Sequence, residues 1–278
     1  MLRGLAWAAA LIWPWAGAHA DPSPARVVSI NLCTDQLAML IADTGQLVSV
    51  SHLATDPRSS AMVEQARAYP ANSGLAEEIY LMQPDLVLAG EYGANATVDM
   101  LRRLDVPVLR FEQAYSLDDV RARMIQMGEV LGRQDRAAEL VDRFDARLGD
   151  FQAEIAARPR AALYYANGYT LGDKSLAGQI LTRAGFDNVA ADIGYEGGGV
   201  LPLELLAMNI PDAVVTGQPY PGASRSEEIM DHPVVSVLRR QSATASVTDS
   251  DWVCGTPFVL DAVSQMTDLR QSLTADRP

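Results

Sequence analysis

Two stretches of this chain share one pattern, and that repeat constrains the fold more than any other feature. Residues 77–90 read EEIYLMQPDLVLAG and residues 204–217 read ELLAMNIPDAVVTG. Glu77, Pro84, Asp85, Val87 and Gly90 match Glu204, Pro211, Asp212, Val214 and Gly217 at one offset of 127 residues. The physical unit is a short helix stopped by proline, a buried strand, and a glycine turn. A helix–Pro-Asp–strand unit also recurs by chance in α/β proteins, but five identities at a single offset favour two related lobes.

The segments around the repeat agree with that reading. Arg26–Ile30 reads as a short buried strand, Asn31–Cys33 as a loop, and a helix runs from about Thr34 with Leu37, Leu40 and Ile41 on one face. Leu47–Ser51 is a second strand and His52–Arg58 the loop after it. Strand–loop–helix alternation of this kind predicts an α/β layer architecture. Between the two copies, residues 134–157 contain no proline and one glycine, Gly149, with Leu140, Val141, Phe144, Leu148, Phe151 and Ile155 as an apolar stripe. A helix of about 24 residues would be about 36 Å long. It is either a rod connecting two lobes or an ordinary long surface helix of one. After Pro159, Ala161–Tyr165 is a strand, Leu176–Ala184 a helix closed by Gly185, and the last helix runs from about Phe258 to Leu273.

Several functions are excluded by what the chain lacks. Its net charge of −13 opposes nucleic-acid binding, which needs a basic footprint. The single lysine, Lys174, follows Asp173, so there is no Walker A loop. No GxSxG nucleophile elbow or GxGxxG dinucleotide fingerprint is present. His52 and His232 sit in no metal-ligand spacing. Residues 1–20, with Arg3, an apolar stretch and Ala18-His19-Ala20, form a signal peptide pattern. The expected compartment is the periplasm. There an even cysteine count permits one bridge, so Cys33 and Cys254, 221 residues apart, form a disulfide or remain two separate small core residues.

The opening VVSINLCTDQLAMLIA, the block GLAEEIYLMQPDLVLAG, and GDKSLAGQILTRAGFDNVA, LPLELLAMNIPDAVVTG and SDWVCGTPFVLDAV occur in an order that resembles a known family. The chain is similar to the periplasmic substrate-binding proteins of ABC importers for iron complexes and cobalamin. The resemblance implies two Rossmann-like α/β lobes, residues 21–133 and 159–278, joined by a single long backbone helix at 134–158, with a ligand cleft between them. It implies a monomer that serves an ABC importer permease dimer with its ATPase. It implies no catalytic residues and no cofactor or metal site of its own, the metal belonging to the chelate carried. The family's permease-docking glutamates correspond to Glu77 and Glu204. Each lobe would then offer an equivalent group to a two-fold partner, with Glu78 as a competing candidate.

In such a fold the loops at the strand ends face one another across the groove. Their aromatics are Tyr92, Tyr169, Tyr195, Tyr220 and Trp252, suited to a flat macrocycle. Trp252 resembles the tryptophan in the SDW stretch of cobalamin-binding relatives. Arg58 is the loop arginine placed near the groove, with Arg225 a weaker option. Anionic ferric siderophores want more arginines than this. Haem wants a His or Tyr ligand, for which His52, Tyr69 and Tyr92 are conceivable. The expected cargo is a corrinoid such as cobalamin, with a ferric siderophore or haem as the alternative. The reading of another class is a secreted α/β hydrolase.

Overall fold

The computed structural model describes residues 23–151, 158–218, 222, 224–247 and 249–275. The signal-like segment 1–20, residues 152–157 of the expected rod, and Tyr220 lie outside the described residues. The first half runs β1 (Val27–Ser29), α1 (Leu32–Ile41), β2 (Leu47–Ser51), α2 (Val63–Ala66), β3 (Ala71–Asn72), α3 (Ala76–Leu81), β4 (Leu86–Gly90), α4 (Asn95–Arg103), β5 (Val108–Phe111) and α5 (Leu117–Leu131). Its strands form one parallel sheet in the order β3-β2-β1-β4-β5. The helix α6 (Gln134–Gly149) follows.

The second half runs β6 (Arg160–Leu163), β7 (Tyr169–Thr170), α7 (Leu176–Arg183), β8 (Asp187–Asn188), α8 (Val189–Asp192), β9 (Gly199–Val200), α9 (Leu203–Asn209), β10 (Ala213–Gly217), α10 (Pro233–Gln241), β11 (Ala243–Val247), α11 (Asp249–Trp252) and α12 (Val259–Ala275). Its parallel sheet has the order β11-β10-β6-β8, and β7 pairs antiparallel with β9. Read from the other edge, that sheet repeats the β2-β1-β4-β5 order of the first half.

The repeat is visible in the hydrogen bonds. Residues Gln83 and Ile210, each just before the Pro-Asp pair, adopt left-handed φ values of 51° and 38° and end their helices. Asp85 accepts the backbone N–H of Arg26 at 3.0 Å, and Asp212 accepts that of Arg160 at 2.8 Å. The guanidinium of Arg26 donates to the Met82 carbonyl, and that of Arg160 to the Asn209 carbonyl, both at 2.7 Å. These carbonyls are orphaned at the helix end, and an arginine there also faces the negative end of the dipole. Strand register matches as well, Val27 opposite Leu86 in one sheet and Ala161 opposite Ala213 in the other.

Helix α6 buries Ala137, Leu140 and Phe144, spaced three and four apart. It crosses α5 where a Cβ on Gly128 would fall 2.3 Å from the Cβ of Ala137, so glycine sets the approach. Near its start, Arg136 donates to the Leu40 carbonyl at 2.7 Å, and near its end Arg147 pairs with Asp261 of α12 at 2.6 Å. One helix thus touches both lobes. It closes at Gly149, earlier than the apolar stripe suggests. The core is continuous across this layer, from Val27 and Leu88 through Met124, Met127 and Phe144 to Leu163, Val263 and Met266. The outer face of each sheet has its own smaller cluster.

Some boundaries move from the sequence expectation. Asn31 belongs to no loop: its side chain caps α1 by accepting the N–H groups of Cys33 and Thr34, so the helix starts at Leu32. Tyr169 and Thr170 pair with Val200 and Gly199 as edge strands. The stretch at Asp251 is a helical turn instead of a loop.

Asp35 in α1 is buried and accepts both the N–H and the hydroxyl of Ser51, at 3.1 and 2.5 Å, tying α1 to β2. Burial pushes its carboxyl up to about 6, against hydrogen bonds from Ser29 and Ser51 that pull it down. The folded chain therefore keeps a proton that the unfolded chain releases near pH 4. The resulting stabilisation is complete below the unfolded pKa and is lost as pH rises through about 6. Asp35→Asn should flatten this slope and gain on the order of 2 kcal/mol over the wild type at pH 7.5 relative to pH 4. Urea unfolding at the two pH values checks it, and an unchanged slope would contradict it.

Candidate ligand-binding cleft

The carboxyl ends of the parallel strands open on one side, where α/β sheets gather their functional loops. From the first lobe come Asn31 after β1, Gly90–Tyr92 after β4, and Glu112–Tyr115 after β5. From the second come Tyr165 and Tyr169 after β6. The Trp252–Gly255 segment closes the floor. Gly255 lies against Ala114 of the opposite lobe, and a Cβ there would fall 2.2 Å from the Ala114 Cβ. Cys33 at the start of α1 is joined to Cys254 by a disulfide, so the floor is covalent.

Two connected hollows result. The larger, about 760 Å³, is walled by Tyr115, Tyr165, Tyr169, Lys174 and Trp252 among others. The smaller, about 260 Å³, includes Asn31, Tyr92, Phe111, Glu112 and Arg123. They share Gln113, Ala114 and Val253. Trp252 is 8% exposed, held in the core while its surface meets the larger hollow. Tyr169 and Tyr115 are well exposed at the walls. Two ion pairs stand at the cleft, Lys174 with Glu196 and Arg123 with Glu112 at 3.4 Å, and Glu91 adds a further acid to the smaller hollow. Lys174 draws the Glu196 carboxyl below its ordinary value.

Tyr92 and Tyr115 share a hydrogen bond of 3.1 Å between their hydroxyls. That bond, with the charge of Glu91 beside it, pushes the Tyr92 phenol up to about 12. The Tyr92 hydroxyl stands at the smaller hollow as a hydrogen-bond donor and acceptor. Among the described residues no group of three or more His, Cys, Asp or Glu side chains is placed to hold a metal ion.

The expected site residues divide as follows. Tyr169 and Trp252 line the large hollow, and Tyr92 the small one. Tyr195 lines neither: its ring lies against Gly199 and packs on the apolar cluster of its own lobe. Arg58 also lies outside both, its backbone N–H donating to the Asp56 carboxylate at 3.0 Å. Arg225, His52 and Tyr69 line neither. Three residues were missed. Tyr115 follows β5, whose carboxyl end opens on the cleft like the others. Tyr165 follows β6 directly and had been counted into the strand. Arg123 comes from a helix.

Glu77 and Glu204 are exposed in the first turns of α3 and α9. Each helix runs back antiparallel to the strand after it, so both glutamates stand at the carboxyl edge of their sheets, the edge the cleft also occupies. Glu78 is engaged locally, accepting the Ser73 N–H at 2.8 Å.

A pair of matched parallel-sheet lobes on a helical backbone, with a cleft at their facing edges, defines a two-lobed ligand-receptor class. Residues 27–239 match the family described as periplasmic binding protein, and the chain belongs to that family. It is 32% identical over 203 residues to a cobalamin-binding protein of Halobacterium salinarum, covering 71% of this chain and 55% of that one. It is 25% identical over 204 residues to the uncharacterized ABC transporter substrate-binding lipoprotein YvrC of Bacillus subtilis, covering 69% of this chain and 63% of that one. The chain thus spans little more than half the length of these relatives. The periplasmic heme-binding protein RhuT from Roseiflexus sp. RS-1, in apo form, superposes with a TM-score of 0.72 at 20% identity, covering 89% of this chain and 98% of that one. That likeness is one of fold. No helix among the described residues is long and apolar enough to cross a membrane.

The disulfide closes a loop of 221 residues and ties the cleft floor together. Replacing both cysteines by serine should cost about 2–5 kcal/mol. Calorimetry with the oxidised wild type as reference measures it; equal melting temperatures would show that the bond carries no stability.

Proposed function

We propose that this chain captures a corrinoid such as cobalamin in the cleft and delivers it to an ABC importer permease dimer with its ATPase. The observation that carries the reading is the aromatic wall of the large hollow, Tyr115, Tyr165, Tyr169 and Trp252, set among internally paired charges. Stacked rings bury the faces of a flat macrocycle, and tyrosine hydroxyls meet its polar edge. With Lys174 paired to Glu196 and Arg123 in contact with Glu112, the cleft offers little net positive charge for a highly anionic ferric siderophore. The similarity to a protein named cobalamin-binding supports the same choice. Ligand contacts are assigned to Tyr92, Tyr169 and Trp252, joined by Tyr115 and Tyr165. In this reading the chain is a monomer, exported by way of residues 1–20, and performs no chemistry. Its lobes are residues 21–133 and 159–278 on either side of the linking segment 134–158.

A ligand panel tests it. Cyanocobalamin should raise the melting temperature in a concentration-dependent way, as RT ln(1 + [L]/Kd) requires, and should do so more than a ferric hydroxamate or haemin. Trp252→Ala should weaken that binding by about thirtyfold, the loss of a buried aromatic anchor. A shift with haemin or the siderophore alone would replace the corrinoid as cargo.

Docking is assigned to Glu77 and Glu204. The matched exposure of Leu81 and Met208, 80% and 77%, one helical turn after each glutamate supports this. Two acidic heads beside apolar knobs suit a two-fold partner with paired basic sockets. Reversing both charges, Glu77→Arg with Glu204→Arg, should abolish uptake while titration shows unchanged ligand affinity. A parallel loss of ligand binding would refute the assignment.

A further inference from the structure

The smaller hollow has its own chemistry, beyond the stacking wall. At about 260 Å³ it falls below the roughly 300–1,000 Å³ of a pocket for a whole ligand. It opens on the main cleft through Gln113, Ala114 and Val253. Its cation is Arg123 of α5, whose side chain is only 17% exposed. Nη1 donates to Gln126 Oε1 at 2.7 Å. Nη2 reaches Glu112 Oε2 only at 3.4 Å, and that carboxylate is itself 75% exposed. Nε is buried and has no hydrogen-bond partner among the described residues. A guanidinium carries five donors in a fixed fork, so this one is under-used. The other acid of the wall, Glu91, accepts the Gln113 N–H at 3.2 Å.

We propose that Arg123 is a specificity-determining residue, and that the small hollow takes one anionic appendage, a phosphodiester or carboxylate, hanging from the edge of the flat ligand. The inference rests on the cleft reading above. The long, solvated contact to Glu112 holds the guanidinium in place while the hollow is empty. An oxyanion entering from the main cleft offers shorter, charge-assisted hydrogen bonds and replaces it. In a corrinoid the appendage is the phosphate of the nucleotide loop; in haem it is a propionate. A single under-satisfied cation matches one such charge.

Calorimetric titration of three ligands on three proteins tests this. The ligands are cyanocobalamin, dicyanocobinamide, which lacks the nucleotide phosphate, and haemin. The proteins are wild type, Arg123→Gln and Glu112→Gln. Arg123→Gln should weaken cyanocobalamin about tenfold, the loss of charged hydrogen bonds, and leave dicyanocobinamide unchanged, which also shows that the variant is folded. Glu112→Gln, at an exposed position, should tighten cyanocobalamin a fewfold and leave dicyanocobinamide alone. Equal effects of either substitution on both corrinoids would overturn the anion site while leaving the corrinoid reading intact. If haemin binds and neither corrinoid does, the corrinoid reading fails, and weakening of haemin by Arg123→Gln decides whether the site stands on carboxylates. Binding of none of the three overturns both.

Discussion

Each lobe depends on one interaction: an aspartate that follows a proline and accepts the backbone N–H of an arginine at the head of the central strand. Asp85 with Arg26, and Asp212 with Arg160, fix where the repeat helix ends and where its strand begins. The same arginines then satisfy the carbonyls left open at the helix end. Removing either partner would strand polar groups at the sheet edge, a cost typical of unmade hydrogen bonds. The clamp sets the same strand pairing in both halves, β1 against β4 and β6 against β10.

With both lobes built to one plan, their carboxyl edges face each other across the α5–α6 layer. The core runs through that layer without a break, so the lobes share packing as well as a chain. A cleft framed this way is largely pre-formed, and its walls are set by residues immediately after strands. Tight framing suits binding, because side chains held in place lose little freedom when a ligand arrives. The Tyr92–Tyr115 hydroxyl pair and the two ion pairs give the cleft its polar groups.

Much of this was legible in the residues. The repeat at one offset announced two lobes, and the α/β alternation announced their layers. The clamp itself was hidden, because Arg26 and Arg160 are 134 residues apart while their aspartates are 127 apart, and an offset search that requires one spacing passes over them. Within the cleft, Trp252, Tyr169 and Tyr92 were found as aromatics in strand-end loops. Tyr195 sits in such a loop too, but its ring turns to its own lobe, against Gly199. Arg123 escaped because it sits on a helix, where a lone arginine reads as a solvated face. Only three-dimensional packing turns it toward a hollow. An apolar stripe says which face of α6 is buried and not where the helix stops.

The covalent tie between Cys33 and Cys254 has a consequence for the order in which the molecule matures. One sulfur belongs to the opening helix and the other lies just before the last helix, α12. The first must wait as a thiol until almost everything else has been made and brought into place. With two cysteines in the whole sequence, no wrong intramolecular pairing exists. Oxidation therefore acts as a final stitch, sealing a receptor whose halves have already met.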